Sequence, residues 1–273
     1  MLIDMVTWLK ELKQTKYHDL KVVLPFVVNE YAGYGQSYFK RFPNEVQIVM
    51  TGGKTWGEVS PEFTNKFYSN TNRGPLLWIN WPCSDNSKNH LILGGYREFL
   101  HKNVDPKKVQ GIVLNPMQQS EPSKVALFGA ADYTWNIWKD DAHIDQTYSD
   151  AFNYVTNNSY QETAESKAFR NLAKHMINQN MDGRVVALEE SIELKKKLAK
   201  VRASLETNNL LVDNIKDLKV EFEELYNDAL TIKNSVVNRD LYYQIRYWIE
   251  SSIELYQGLT LLLDGLIKLS PRW

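Results

Sequence analysis

Four short apolar segments in the first 115 residues constrain the fold of this chain more than any other feature. They are "KVVLPFVV", "VQIVM", "LLWIN" and "GIVLN", at residues 21–28, 46–50, 76–80 and 111–115. Each is short and apolar on both faces, which is typical of strands covered on both sides of a parallel sheet. Intervening segments such as "SPEFTNKFYSN" and "YREFLHKN" can form the connecting helices. The sequence therefore predicts an α/β region.

From about residue 116 the pattern becomes helical. The chain ends in three long amphipathic segments, "VVALEESIELKKKLAKVRASLE", "LLVDNIKDLKVEFEELYNDALTI" and "RDLYYQIRYWIESSIELYQGLTLLLDGLIKL". Segments of this kind pack as a helical bundle. The second segment is expected to contribute these core side chains: Leu210, Leu211, Leu218, Phe222 and Leu225. We therefore predict an α/β domain in residues 1–140 and an all-α bundle in residues 141–273.

The N-terminal segment "MLIDMVTWLKELKQTKYHD" is predicted to be an amphipathic helix. Its apolar face would carry Met5, Trp8, Leu9 and Leu12. A signal peptide is not expected here, because Asp4 stands where a basic segment belongs. No apolar run approaches the roughly 18–20 residues of a membrane span, and the sequence does not fix the compartment.

Composition and spacing exclude several classes of function. The formal net charge is −1 with no block of like charge, so neither nucleic acid nor a membrane is a predicted partner. The five histidines show no metal-ligand spacing, and "TGGKTWGE" lacks the spacing of a phosphate-binding loop. No cofactor or metal is predicted. The single cysteine, Cys83, allows no internal disulfide and is expected to be a buried small residue rather than a nucleophile.

Polar and aromatic side chains follow all four apolar segments at their C-terminal ends. These clusters are residues 29–35, 51–56, 80–85 and 115–116. In parallel α/β folds the loops after the strands gather at one edge of the sheet, where ligands bind. Amides and a carboxylate suit sugar hydroxyls, which both donate and accept hydrogen bonds, and Tyr and Trp supply apolar walls. The pattern predicts a carbohydrate site.

At these strand ends the sequence resembles glycoside hydrolase family 84, the β-N-acetylglucosaminidases that include O-GlcNAcase-like enzymes and clostridial hyaluronidases. In "NEYAGYGQSYFKRFPNEVQIVMTG" a Glu-Tyr follows one strand and a Thr-Gly ends the next, as in the family. "WINWPCSD" is similar to the family's W-x-N-(x4)-D motif, and "VLNPMQQSEPSKVALFGAADYTWN" to its [VL]-x-N-P-M segment. The resemblance covers about residues 21–136, and the helical region is similar only in character.

The resemblance implies a TIM-type (β/α)8 barrel that binds an N-acetylglucosamine. Asp85 would accept hydrogen bonds from the O4 and O6 hydroxyls of the sugar. Asn115 would bind ring hydroxyls nearby, and Asn80 would lie near the acetamido group. The implied reaction is substrate-assisted and retaining: the acetamido oxygen attacks the anomeric carbon and forms an oxazoline.

Three further residues are assigned to the same pocket by the resemblance. Tyr31 and Trp78 would help to wall the pocket around the acetyl group, and Thr51 would line it. The implied partner is a glycan or glycoprotein that contains N-acetylglucosamine.

The implied mechanism needs two adjacent aspartates, one to orient the acetamide and one to act as general acid and base. In the family this pair ends a strand before the Glu-Tyr segment, yet residues 1–28 contain no Asp-Asp. The single Asp-Asp, Asp140–Asp141, lies among helical segments and is expected to flank a helix rather than to catalyse. No catalytic residue is therefore predicted in this chain.

Four strands are half of eight, so we expect residues 1–140 to be the C-terminal half of a barrel, followed by the helical domain. Three states are compatible with such a chain: a fragment of a longer enzyme, one half that pairs with a separate N-terminal half, or a chain that self-associates to cover its open edges. In each case we expect it to be weakly active or inactive alone. Two alternatives remain from the sequence: a non-catalytic carbohydrate-binding protein, and a helical interaction protein.

Overall fold

The computed structural model describes residues 2–19, 21–25, 36–85, 88–176, 192–207 and 211–269. Within these ranges the first region contains a four-stranded parallel sheet in the order β1-β2-β3-β4. Its strands are β1 (Val23–Pro25), β2 (Gln47–Met50), β3 (Leu76–Ile79) and β4 (Gly111–Leu114). Each strand falls within one of the four apolar segments, so the predicted strands and their parallel arrangement are confirmed.

One helix, α1 (Leu2–Lys13), precedes the sheet, and shorter helices connect its strands. These are a 310 helix (Gln36–Arg41), α2 (Pro61–Thr71), α3 (Tyr96–Phe99) and a second 310 helix (Pro106–Lys108). The sequence sets both ends of α2. Ser60 caps its start by accepting a hydrogen bond from the backbone N–H of Phe63, and Pro61 occupies its first turn. Asn72 ends it in the left-handed conformation (φ 58°), which asparagine tolerates better than most residues.

The two faces of the sheet differ in burial. One face carries side chains that are at most 1% exposed: Ile48, Met50, Leu77 and Ile79. On the other face Val23, Trp78 and Val113 are 41%, 42% and 38% exposed. The expectation that both faces are covered is therefore wrong for this part of the sheet, because no described residue covers these three side chains.

The N-terminal helix α1 forms as predicted, but its predicted apolar face is largely exposed. Met5, Trp8 and Leu12 are 46%, 62% and 45% exposed, whereas Val6 is 1% exposed. The helix therefore packs through a different line of side chains from the one that the periodicity indicated.

Arg73, which follows α2, holds the segment that leads into β2. Its side chain is buried, and Nη1 donates to the carbonyl oxygens of Pro43 (2.8 Å) and Val46 (3.2 Å). Nη2 donates to the carbonyl oxygen of Phe42 (2.6 Å). The guanidinium thus donates to three backbone carbonyls within the five residues 42–46 and holds this segment against α2.

We expect Arg73→Met to lower the free energy of unfolding by about 3 kcal/mol, because three carbonyl groups lose a charged donor. Urea denaturation would measure the change. Lys66→Met, at an exposed position of α2, is the control and should stay within about 0.5 kcal/mol of the unsubstituted protein. Equal midpoints for the two variants would contradict this role of Arg73.

The remaining helices are α4 (Ser120–Trp135), α5 (Asp141–Asn157), α6 (Ala164–Ala173), α7 (Ile192–Glu206), α8 (Val212–Ser235) and α9 (Arg239–Leu269). Helices α8 and α9 pack along their lengths, and Phe222 stacks on Tyr256 with ring centroids 5.9 Å apart. The predicted bundle is confirmed.

The predicted core positions of α8 have three different outcomes. Leu218, Phe222 and Leu225 are buried, as predicted. Leu211 is 50% exposed, so that prediction is wrong, because the residue stands at the position just before α8 rather than within it. Leu210 lies outside the described residues.

The chain forms two compact units that interleave in sequence. The first comprises Met1–Cys83, Gly95–Pro116 and Leu127–Asp145, and the second comprises Ser84–Gly94, Met117–Ala126 and Gln146–Trp273. A single domain boundary at residue 140 stays a prediction, since these units do not meet at one position. None of the helices that the structure describes combines the length and apolarity needed to cross a bilayer.

Candidate functional site

The carboxyl edge of the sheet brings together the loops that follow β2, β3 and β4. All strands of the sheet are parallel, so these loops leave from the same edge. The loop after β2 begins at Thr51, the one after β3 at Asn80, and the one after β4 at Asn115. Residues 26–35, which follow β1 and include Tyr31, lie outside the described residues.

A hydrogen-bonded amide network joins the three loops. Asn80 Oδ1 accepts from the Trp78 indole Nε1 (2.9 Å) and from Asn115 Nδ2 (3.2 Å). Asn80 Nδ2 donates to the carbonyl oxygen of Thr55 (2.6 Å). The backbone N–H of Asn115 donates to the carbonyl of Ile79 (3.0 Å). Asn80 thereby links the ends of β3 and β4 to the loop after β2, and we call this set the amide network.

The orientation of both amides follows from the chemistry of their partners. An indole N–H can only donate, so the Asn80 atom facing Trp78 must be the oxygen. A backbone carbonyl can only accept, so the atom facing Thr55 must be the nitrogen. The Asn115 atom that faces Asn80 Oδ1 must then be its own nitrogen. The Asn115 oxygen, Oδ1, therefore points away from Asn80 and takes no part in this contact.

Asn115 Oδ1 is an acceptor with no donor among the residues that the structure describes. Asn115 is half-buried, and its nitrogen is held by Asn80 Oδ1 and also lies 3.5 Å from Cys83 Sγ. A half-buried oxygen whose amide is fixed at the other end is suited to accept a hydrogen bond from a ligand hydroxyl.

The predicted site residues differ in where the structure places them. Trp78, Asn80 and Asn115 come together in the amide network. Thr51 is 3% exposed at the end of β2, so it offers little surface to a ligand. Asp85 is exposed and belongs to the second compact unit. The sugar contacts assigned to these residues stay predictions.

Cys83 is fully buried, as expected for a small core residue. Its sulfur lies within hydrogen-bonding distance of Asn115 Nδ2, a contact that the sequence did not indicate. The carbonyl of Thr55 is a second contributor that sequence reasoning missed. No side-chain pattern can reveal a backbone carbonyl, although the nearby glycines signal a tight loop.

The loop after β2 is compact because three glycines let its backbone fold back on itself. Gly52 and Gly53 adopt positive φ angles of 83° and 87°, which favour glycine. At Gly57 a Cβ would lie 1.8 Å from the carbonyl oxygen of Thr51. The "TGGKTWGE" segment is thus a tight structural turn that presents Thr55 to Asn80.

Asp140 and Asp141 hold the start of α5. Asp140 Oδ1 accepts from the backbone N–H of His143 (2.8 Å), as a helix cap does. Asp141 pairs with Lys102 (2.8 Å) and lies 3.7 Å from the Arg97 guanidinium. The hydrogen bond from Lys102, aided by the charge of Arg97, lowers the pKa of Asp141 below its ordinary value. This is the helix-flanking arrangement that the sequence predicted.

Comparison with known proteins identifies a matching family and two similar solved structures for this chain. The family described as beta-N-acetylglucosaminidase matches residues 1–174. The solved structure of CpGH84D is 26% identical in sequence, with a TM-score of 0.78 over 98% of this chain and 46% of that one. CpGH84B is 17% identical, with a TM-score of 0.74 over 99% of this chain and 48% of that one.

These likenesses confirm the predicted fold class, a partial barrel followed by a helical domain. The chain spans just under half the length of both solved structures.

Proposed function

Because this chain belongs to the β-N-acetylglucosaminidase family, glycoside hydrolase family 84, we propose that the carboxyl edge of its sheet forms part of a site for a terminal β-linked N-acetylglucosamine. The observation that carries this proposal is the amide network, which fixes Asn80 and Asn115 at the position where ligands of parallel α/β folds bind. The partner would be a glycan or glycoprotein that contains this sugar.

The network supplies the two kinds of surface that a pyranose ring requires. Asn115 Oδ1 can accept a hydrogen bond from a ring hydroxyl. Trp78, 42% exposed and hydrogen-bonded to Asn80, offers an apolar wall beside it. Because hydrogen bonds already hold both amides, binding would cost little side-chain entropy. The family resemblance further assigns Tyr31, Thr51 and Asp85 to the sugar, and of these the nearly buried Thr51 would support the pocket wall rather than contact the ligand.

The reaction proposed for the complete site is substrate-assisted hydrolysis with retention. It needs a carboxyl group whose pKa is high enough for it to be protonated near neutral pH, so that it can act as general acid. Asp141 has the opposite environment, since Lys102 and Arg97 lower its pKa, and Asp140 is used as a helix cap. This supports the proposal that the catalytic aspartate pair lies outside this chain, and that the chain alone is inactive.

The partly exposed face of the sheet supports a further element of the proposal. Val23, Trp78 and Val113 are about two-fifths exposed, and β1 and β4 are edge strands within the described sheet. Open edges favour pairing with additional strands, and an exposed apolar face favours packing against further side chains. We propose that these strands come from a longer form of the polypeptide, a separate N-terminal half, or a second copy.

A binding experiment tests the half-site. We expect purified protein to bind N-acetylglucosamine weakly, with the Trp78 indole resonance shifting in a 1H–15N NMR titration. Asn115→Ala should weaken binding about two- to tenfold, the range for one lost hydrogen bond. Asn65→Ala, on the exposed side of α2, is the matched control and should bind as the unsubstituted protein does. Identical affinities for the two variants would remove Asn115 from the site.

An activity assay tests the missing acid pair. The chain alone should release no p-nitrophenol from p-nitrophenyl N-acetyl-β-glucosaminide, and turnover by the pure chain would overturn the proposal that the pair is absent. Adding the part of CpGH84D that this chain does not cover should restore turnover if the two halves combine. Sugar binding that never leads to turnover would favour the non-catalytic carbohydrate-binding alternative.

A further inference from the structure

We propose that Glu58 and His101 act as a positioning pair for Asn80, holding the loop after β2 so that the Thr55 carbonyl stays on the Asn80 amide. This inference deepens the proposed sugar site, on which its functional consequence rests. The contacts described for this pair run to Lys54 and to the end of α3, so both residues would act on Asn80 through the loop.

The contacts of Glu58 tie the top of the loop to the end of α3. One carboxylate oxygen lies 2.9 Å from His101 Nε2, and the other lies 2.9 Å from Lys54 Nζ. The backbone beside them is paired as well. The N–H of Val59 donates to the carbonyl of Phe99 (2.8 Å), and the N–H of His101 donates to the carbonyl of Val59 (3.0 Å). The segment around Val59 is therefore joined to the segment around His101 by backbone hydrogen bonds, and the Glu58 carboxylate adds a side-chain link from His101 to Lys54.

The loop transmits this restraint to Asn80 over a short distance. Lys54 precedes Thr55, whose carbonyl accepts from Asn80 Nδ2 at 2.6 Å. On the far side, Gly57 packs against the Thr51 carbonyl too closely for any side chain. The segment from Lys54 to Glu58 is thus held at both ends, and loss of the Glu58 contacts would free the end that carries Thr55.

The protonation state of His101 sets the strength of this restraint. Its Nε2 faces two acceptors, the Glu58 carboxylate (2.9 Å) and the Glu98 carbonyl (3.2 Å), so Nε2 carries a hydrogen even in the neutral ring. Protonation at Nδ1 then adds a full positive charge beside Glu58. The charged groups facing this ring are the carboxylates of Glu58 and Glu98, with Lys54 on the far side of Glu58.

The electrostatics favour the charged ring. The hydrogen bond with Glu58 raises the pKa of His101 above its ordinary value of 6.5, against the opposing effect of partial burial. A raised pKa means that the ion pair contributes fully below pH 6.5 and is lost as the pH rises through the folded-state pKa. The pair is partly exposed, so we expect a modest effect on the loop rather than unfolding.

The indole N–H of Trp78 contacts the Asn80 amide, so its NMR resonance reports on how the Glu58–His101 pair positions that amide. It donates to Asn80 Oδ1, and its 1H–15N resonance can be assigned by its disappearance in Trp78→Phe. Between pH 5.5 and 8.5 we expect this resonance to titrate with a midpoint above about 6.5. His101→Gln keeps a donor towards Glu58 but cannot titrate, so the transition should vanish. His143→Gln, with an equally exposed histidine beside Asp132, should leave the transition unchanged.

Two results would overturn the positioning role. One is a Trp78 resonance that does not respond to pH in the unsubstituted protein, and the other is an unchanged transition in His101→Gln. For sugar binding we expect the Kd for N-acetylglucosamine to rise about two- to fivefold from pH 6 to pH 8.5. If Trp78 titrates as expected but no sugar binds at any pH, the proposed sugar site fails and the positioning pair stands.

Discussion

Trp81→Ala is expected to lower the free energy of unfolding by about 4 kcal/mol, since removing a fully buried Trp costs both transfer free energy and a cavity. The Trp81 ring is 0% exposed and stacks on Phe99 with centroids 5.5 Å apart and an interplanar angle of 12°. Tyr96 meets its edge at 5.9 Å, and Gly95 lies so close that a Cβ there would come within 2.9 Å of the indole nitrogen. Chemical denaturation followed by far-UV circular dichroism would measure the loss.

Trp78→Ala is the matched control, because the two tryptophans lie three residues apart in one strand end. Trp78 is 42% exposed and loses one hydrogen bond, to Asn80, so we expect a cost of about 1 kcal/mol. The control should instead weaken sugar binding, if Trp78 forms the proposed wall. Equal losses of stability would mean that Trp81 does not anchor this region.

The anchoring has a consequence for the site. Trp81 directly follows Asn80, and its aromatic neighbours continue through Tyr96 to Trp138, with ring centroids 5.5 Å apart. Asn80 is therefore attached to a rigid core rather than to a loose loop. Rigid support keeps a polar group in place for a ligand without an entropic cost on binding.

Gly57→Ala is expected to destabilise the protein by about 3 kcal/mol, as overpacking against backbone does. The added Cβ would lie 1.8 Å from the Thr51 carbonyl oxygen and 2.7 Å from the Gly52 Cα. Neither group is a flexible side-chain end, so the whole loop must shift, and the Thr55 carbonyl with it. We expect the Trp78 indole resonance to move at the same time, which thermal unfolding alone would not reveal.

Gly258→Ala is the matched control for Gly57→Ala and is expected to raise the stability of the protein instead of lowering it. Gly258 is exposed in α9, and apart from the neighbouring backbone of its own helix nothing lies within 4 Å of where its Cβ would be. Alanine there should stabilise the helix by about 0.5–1 kcal/mol, because glycine loses more backbone entropy on folding. Similar changes for both variants would show that close packing at Gly57 does not govern the loop.

The sequence anticipated which loops meet at the carboxyl edge of the sheet better than it anticipated the contacts within that edge. Four strands that all end in polar residues were enough to locate the carboxyl edge, because parallel strands place their C-terminal loops together. The contacts of Asn80 with Thr55 and Asn115 span 25 and 35 residues. Such contacts depend on which distant residues the folded sheet brings side by side, and the local sequence around Asn80 does not name these partners.

His101 illustrates a residue that sequence reasoning could not find. No sequence motif marks His101 as a functional residue, and its partner Glu58 lies 43 residues away in the sequence. The two side chains meet because a parallel bridge pairs Val59 with Leu100 in the folded chain.

By itself, the sequence determined the parallel strands, the helical bundle and the burial of Cys83, because each follows from local apolar pattern and residue size. It also predicted that Asp140 and Asp141 flank a helix. The tertiary structure alone decided which of two similar tryptophans is buried and which is exposed. It also decided that Asn80 is held by protein groups, whereas Asn115 Oδ1 meets no donor from the described residues. These outcomes depend on which distant groups meet, and burial and hydrogen-bond partners are properties of the folded surroundings rather than of a residue and its neighbours.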